Sequence, residues 1–454
     1  MVQVAALAAI ATVFALADVT SEPLEGDSAM YGTIARTIAT TGEWRRLTFN
    51  GEPYFNKPPL HFWVNALVLQ VLPSTGFAVA LVPSLLGVVD TLLLYALCRV
   101  TLIGWQPAFF AGLVFITTPE VLHWGRGVRL ETLLTFWILL GLWAAYRSVA
   151  RPSTIVWLGM AAAGGWLAKG PQGLLPLVIA PVVWSRAGVL GARIRSGWTL
   201  GALGLCLGVI GAWAALRSVE PGFVGTYFGT QVMDVLFVGG WFDRGAFWYV
   251  GKLLRTYWPW LPFAAAGMVL LWRQRHEQLG AWLWIACTAV VMVVISAAAV
   301  KKSRYLFQIY PALAVAAGVA LAALTTRVPR LPAIVTGGAL TGAALVLALG
   351  GSGPVRPHVR DAVATAQQFR SATTVLLSYD AQHGRPDVGK ILGFHAAALL
   401  ATCRADCIDE TIGRSGPTSI VVRPQEADRI AGTLEGTVTH HNDTLAIVEV
   451  PAPG

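Results

Sequence analysis

Residues 22–59 read EPLEGDSAMYGTIARTIATTGEWRRLTFNGEPYFNKPP, the only long polar segment before residue 350. It stands between an apolar N-terminus and a nearly unbroken series of apolar runs. It carries the acids Glu22, Glu25 and Asp27, the rings of Tyr31, Trp44, Tyr54 and Phe55, and one isolated lysine, Lys57, fixed before Pro58 and Pro59. A spacer between membrane helices needs only Gly and Ser. Acids, a cation and rings together point to a site, against the alternative of a solvated loop.

The chain around this segment is 55% hydrophobic and 13% charged, with a mean hydropathy of +0.61. Globular domains carry about 25% charged residues. Apolar runs recur at 2–18, 77–98, 104–119, 129–149, 154–168, 171–184, 198–217, 257–272, 279–299, 303–324 and 331–350. They predict an α-helical polytopic membrane protein with about 11–13 transmembrane helices. The 18 Trp suit interfacial belts. The start is apolar to Asp18 and is read as an uncleaved first span. The run 58–73 is shorter than a span and carries His61, Asn65 and Gln70, so it is read as a helix lying in the interface.

Expected, then, is a transmembrane domain over 1–350 with an external loop at 22–59, followed by a polar domain over 351–454. Apolar runs at 375–379, 419–422 and 445–450 and helical segments at 358–370 and 424–434 predict a small extracytoplasmic α/β domain. Its His395, His440 and His441 have no metal-site spacing, and no cofactor or metal is indicated elsewhere. Cys403 and Cys407 form a C-x₃-C pair, a disulfide if exported and two thiols if not. Cys98, Cys206 and Cys287 lie in apolar runs as packing residues.

Charge sets the parity of the spans. With residue 1 cytoplasmic and 58–73 not crossing, the cytoplasmic loops carry Arg99; Arg147 and Arg151; Arg186, Arg193 and Arg195; Arg273 and Arg275; Arg327 and Arg330. That is the positive-inside pattern. The cations left outside include Lys57, Lys169, Arg244, Lys301, Lys302 and Arg304. Their convergence suits an anion site at the outer interface, against the alternative of snorkelling to lipid phosphates. Such a rim beside carboxylates suits a lipid-borne phosphate ester: cations stabilise the leaving phosphate and an acid deprotonates the acceptor. Asp27 and Glu131 also stand at helix starts, where an acid caps or favours a helix N-terminus. A transporter or flippase, the alternative, needs ionisable groups near the membrane midplane, and Asp90 is nearly alone there. A non-enzymatic assembly protein acting through residues 355–454 is a third class.

EGDSAMYGTIARTIATTGEW…LTFNGEPYFNKPPLHFW resembles the first external loop of the polyprenyl-phosphate-sugar-dependent glycosyltransferases of the GT-C superfamily. These are bacterial relatives of protein O-mannosyltransferases and include the lipid A aminoarabinose transferase. The family pattern, roughly D-E-x-x-Y-x-x-x-x-R, then W, N-G and Y-F-x-K-P-P, is matched by Asp27, Tyr31, Arg36, Trp44, Asn50, Gly51, Tyr54, Phe55, Lys57, Pro58 and Pro59. Family-like segments continue in VRLETLLTFWILLGLW, GWLAKGPQGLLPL, FWYVGKLLRTYWPWLPF and KKSRYLFQIYPALA, so the resemblance covers about residues 1–325. Three positions depart from the pattern: Ser28 follows Asp27 where an acid is usual, Glu131 replaces an Asp, and Met30 replaces an Arg.

The resemblance implies a membrane glycosyltransferase that moves a sugar from a polyprenyl-phosphate donor to a lipid, glycan or protein acceptor on the extracytoplasmic face of the inner membrane, with inversion. It implies Asp27 as catalytic base, supported by Glu131. Lys57 would hold the lipid phosphate, helped by Arg244 and Tyr305, with Lys169, Lys302 and Arg304 on the same cationic rim. Tyr31, Tyr54 and Phe55 would line the sugar and lipid cavity. Nucleic acid has no place in this reading.

Overall fold

A bilayer offers no water to peptide groups, so each long apolar run closes its own hydrogen bonds as a helix. The computed structural model describes residues 2–16, 19, 24, 26–238, 244–245, 247–349, 357–368, 375–378, 388–395, 400–403 and 418–450. Contacts divide the chain into two compact units: residues 1–19, 55–61 and 80–351, and residues 20–54, 62–79 and 352–454.

The first unit is helical. In chain order the helices up to residue 349 are α1 (Val2–Leu16), α2 (Gly26–Thr41), α3 (Leu60–Leu69), α4 (Gly76–Thr101), α5 (Gln106–Thr117), α6 (Pro119–Gly125), α7 (Glu131–Arg147), α8 (Ile155–Lys169), α9 (Leu175–Arg186), α10 (Leu190–Ile194), α11 (Gly197–Ser218), α12 (Trp248–Thr256), α13 (Leu261–Gln274), α14 (Leu279–Ala297), α15 (Tyr310–Thr325) and α16 (Leu331–Leu349). All belong to the first unit except α2, most of α3 and the start of α4. Helices α4, α11, α14 and the continuous stretch Ser303–Thr325 are long and apolar enough to cross a bilayer. Helices α1 and α5 are apolar but have 15 and 12 residues. The protein is a multi-pass α-helical membrane protein. Helix α3 has ten residues, about 15 Å at 1.5 Å per residue, half of a hydrocarbon core of about 30 Å. It is shorter than a straight span.

Helix α15 is the axis of this unit. Every residue from Tyr310 to Leu321 is buried. Small residues let its neighbours close on it. A methyl group at Gly318 would strike the Pro107 carbonyl on α5, and one at Gly267 on α13 would strike the Ala316 carbonyl.

The basic loops gather at one end of the unit. Trp284 donates to Thr101 Oγ1 at 3.0 Å. Arg193 donates to the Ser148 and Val149 carbonyls at 2.7 and 2.8 Å. The Arg186 guanidinium lies 4.0 Å above the Trp282 ring. The loops carrying Arg99, Arg147, Arg193 and Arg273 therefore share a face, as the charge pattern requires. At the opposite end the 3₁₀ segment Ser303–Ile309 leads into α15, and the π-helix Gly225–Val238 replaces what the sequence suggests is a plain loop. The π-helix is tied down by the Ala299 and Val300 amides, which donate to its Leu236 and Val235 carbonyls at 3.1 and 3.0 Å.

The second unit holds α2 and the hairpin β1 (Thr48–Phe49) and β2 (Glu52–Pro53), turned by Asn50 and Gly51, both at positive φ. An Asn-Gly pair favours this two-residue turn. The same unit contains α17 (Pro357–Ala366), β3 (Val375–Ser378), α18 (Val388–His395), β4 (Leu400–Cys403), β5 (Thr418–Val422), α19 (Pro424–Thr433), β6 (Thr437–His441) and β7 (Ala446–Val450). The sheet order is β4-β3-β5-β7-β6, with β4, β3 and β5 parallel and β7 and β6 antiparallel. It is a small α/β sheet, as expected, with β4 and β6 added to the runs read from sequence. Helix α19 covers it through Ala427 and Ile430 on Ile420, Val422 and Val448. Cys407 lies outside the described residues.

Candidate active site

At the end of the first unit opposite the basic loops, a cavity opens. Its polar lining is Lys57, Lys169, Gln172, Gln231, Arg304 and Tyr305. Its apolar wall comes from the π-helix (Val232, Val235, Leu236) and the end of α14 (Val294, Ile295, Ala298). Three cations beside an apolar wall suit an anionic head joined to a hydrocarbon tail.

Lys57 is presented from a rigid turn. Phe55 packs edge-on against Phe223 and under the Arg217 guanidinium, 5.3 Å from its ring centre. Arg217 is buried and paired with Glu220 at 2.9 Å. From this anchor Lys57 Nζ reaches Gln231 Oε1 at 3.1 Å. Phe55 thus belongs to an aromatic cluster with Trp213, Phe223 and Tyr227 and is not among the residues lining the cavity.

Lys169, at the last turn of α8, meets Glu131, at the first turn of α7, at 2.8 Å. Both side chains are almost fully buried. Gln308 joins them through Thr135, whose hydroxyl donates to the Glu131 carbonyl at 2.9 Å and to Gln308 Oε1 at 3.0 Å. The ammonium also sits 5.7 Å from the Tyr305 ring centre. Glu131 and Lys169, expected in separate roles, thus form one buried pair at the cavity edge. Arg244 donates to the Lys301 carbonyl at 3.2 Å and stacks 4.3 Å from the Trp248 ring. The Lys302 backbone exchanges hydrogen bonds with the Tyr249 hydroxyl. Neither Arg244 nor Lys302 is among the cavity-lining residues.

Asp27 belongs to the second unit, in the first turn of α2, where an acid favours the helix dipole. Its Oδ1 is 3.6 Å from Lys390 Nζ on α18. Tyr31, one turn on, and Tyr54 both pack edge-on against Phe62, at 5.4 and 5.8 Å between ring centres. Arg36 donates to the Phe394 carbonyl at 2.5 Å. Burial lowers its guanidinium to about 10, still protonated at neutral pH. Glu22 and Glu25 lie outside the described residues. Among the described residues no group of three or more His, Cys, Asp or Glu side chains could hold a metal ion.

Residues 56–213 match the family model described as dolichyl-phosphate-mannose-protein mannosyltransferase. The structure superposes on ArnT from Cupriavidus metallidurans bound to undecaprenyl phosphate with a TM-score of 0.81, covering 98% of this chain and 97% of that one at 18% identity. The chain has the fold of that ArnT structure. The archaeal oligosaccharyltransferase AglB from Archaeoglobus fulgidus superposes with a TM-score of 0.57 at 12% identity, over 92% of this chain and 69% of that one. In sequence, the undecaprenyl phosphate-alpha-4-amino-4-deoxy-L-arabinose arabinosyl transferase of Edwardsiella ictaluri is 26% identical over 299 residues, 64% of this chain. The chain spans about half the length of such curated relatives, 54% in this case.

Three site-end residues escape sequence reading. Gln231 holds Lys57 from an unforeseen π-helix. Gln172 lines the cavity, and its Oε1 is buried without a hydrogen-bond partner among the described residues. Arg217, at the end of α11, resembles an ordinary snorkelling cation until the fold brings Phe55 beneath it. The A-K-G-P-Q-G segment held a signal for Gln172, since its lysine was already suspect and the residue lies three positions on.

Proposed function

We propose that this protein is a glycosyltransferase of the inner membrane that uses a polyprenyl-phosphate-linked sugar at the extracytoplasmic face. The observation that carries this reading is the cavity: Lys57 and Arg304 supply charge for a phosphate, and the valine and leucine wall suits the first units of its lipid. The curated relatives are named for a donor in which undecaprenyl phosphate carries 4-amino-4-deoxy-L-arabinose, and the ArnT structure contains undecaprenyl phosphate. An undecaprenyl-phosphate sugar, with that amino sugar the first to test, is the donor proposed here. The acceptor is a lipid, glycan or protein of the envelope.

In this reading Lys57 grips the phosphate, with Arg304 and Tyr305 beside it and Arg244 and Lys302 in support. Lys169, paired with Glu131, fixes the cavity edge. Asp27 takes the proton of the acceptor hydroxyl. The acceptor oxygen bonds the anomeric carbon as the bond to the phosphate oxygen breaks, and the lipid phosphate leaves with the electron pair. Attack opposite the leaving group inverts the configuration. Tyr31 and Tyr54 flank the sugar. The leaving group is already an anion stabilised by cations, so it needs no acid.

The test has two parts. Mass spectrometry of envelope glycolipids and glycoproteins, with and without the gene, should show one sugar-bearing species lost. Purified protein should gain thermal stability from undecaprenyl phosphate. An unchanged envelope together with no stabilisation would refute the proposal.

A further inference from the structure

We infer that the C-terminal residues take part in catalysis through Lys390, a positioning residue that orients the Asp27 carboxylate; this rests on Asp27 being the base. The two helices that carry these groups are locked together within the second unit. Asp27, Gly32 and Arg36 on α2 meet Lys390 and Phe394 on α18, in the same order along both helices. Lys390 Nζ faces Asp27 Oδ1 at 3.6 Å. One turn beyond Lys390, the Phe394 carbonyl accepts from Arg36 at 2.5 Å, and the Arg36 guanidinium stands 5.7 Å from the Phe394 ring centre. Gly32 makes room for that ring, since a Cβ there would lie 2.7 Å from it.

Phe394, Arg36 and Gly32 thus help to dock α18 on α2, beside the ion pair of Lys390 with the carboxylate. Its side chain and that of Asp27 are a quarter exposed. A proton acceptor needs this arrangement: an oriented, ionised carboxylate that an incoming hydroxyl can still reach. A cation at that separation favours the ionised form and restricts rotation about the Asp27 side-chain bonds. A purely structural pair at a helix start would instead contribute to folding and leave turnover alone.

The experiment uses the full chain in a strain lacking the gene, complemented at matched membrane levels. The rate of formation of the lost envelope species is read by mass spectrometry. Purified variants are compared by thermal midpoint and by stabilisation with undecaprenyl phosphate. Lys390→Met should slow product formation about threefold to fivefold, the upper range for a partly exposed ion pair, with midpoint and lipid-phosphate stabilisation unchanged. Lys390→Arg, which restores the charge, should recover the rate to within about twofold. Asp27→Asn should abolish product, and adding Lys390→Met to it should change neither readout further. If Asp27→Asn is inactive while Lys390→Met runs at the full rate, or if Lys390→Arg is no better than Lys390→Met, Lys390 has no such role. An active Asp27→Asn would overturn the base itself and the inference with it.

Discussion

Lys169→Ala should be among the most damaging single substitutions at the site end, because it removes the one hydrogen-bonded cation of buried Glu131 among the described contacts and leaves only the more distant Arg304 and Arg129. The pair closes at 2.8 Å with the lysine and glutamate side chains 5% and 2% exposed. At an effective dielectric of about 20, unit charges that close attract by about 6 kcal/mol. Desolvation offsets much of this in the intact pair. In the variant Glu131 keeps its own desolvation cost and loses the attraction, and such truncations cost about 3–5 kcal/mol. Replacing both residues, Glu131→Gln with Lys169→Met, removes the stranded charge and should cost much less. The two sites should therefore couple by about 2 kcal/mol or more in a double-mutant cycle. Unfolding in mixed detergent micelles, followed by tryptophan fluorescence, measures each term. A Lys169→Ala protein within about 1 kcal/mol of the parent, a common cost for a substitution without a special mechanism, would refute the reasoning. If that variant folded normally but lost undecaprenyl phosphate, the charge of Lys169 would be serving the ligand and not Glu131.

Lys57→Ala should fold normally and bind undecaprenyl phosphate about tenfold to a hundredfold more weakly, the order of one charge-assisted hydrogen bond. Lys57→Arg should recover only part, and unaltered affinity in the alanine variant would remove Lys57 from the phosphate site. His61, on the ten-residue helix α3, is pushed down to about 4 by burial, with Glu131 acting in the opposite direction. Its ordinary value is about 6.5, so the unfolded chain binds the extra proton first; stability should be full above that pH and fall as pH drops towards 4. His61→Gln should flatten this limb in midpoints measured from pH 8 to pH 4, and an unchanged slope would assign the loss to other groups. Asp90 is fully buried in α4, with no hydrogen-bond partner for either carboxylate oxygen among the described residues. Asp90→Leu should stabilise the protein by about 1–3 kcal/mol, and a lower midpoint would show that a partner holds the carboxyl.

Much of the helical unit could be read in advance because its signals are local. The runs at 77–98, 198–217 and 279–299 became α4, α11 and α14 within a few residues, and the basic loops do share one end. The site residues were individually visible, since Lys57, Lys169 and Arg304 are cations where cations are scarce. Their partners were not visible. Nothing local in ETLLTFW announces that Glu131 meets Lys169 two helix ends away, or that Gln231 meets Lys57. The π-helix has no composition rule that separates it from an apolar loop. Strand β6 was missed because THH lacks apolar character and pairs only through its backbone with β7. Lys390 was invisible for the same reason as Gln231: its meaning comes from a helix packed beside it, not from its neighbours in sequence.

The short apolar wall of the cavity has a consequence for chemical probes. It is built from six side chains, Val232, Val235, Leu236, Val294, Ile295 and Ala298, enough to meet the start of a polyprenyl chain and not its whole length. If such a lipid binds, only its phosphate and first few units can be housed, and the remainder must stay among the bilayer acyl chains. Recognition would then be nearly blind to tail length beyond that point. A short, water-soluble prenyl phosphonate should compete with the natural carrier almost as well as a full-length one, so inhibitor screens against this protein could be run without long-chain lipids.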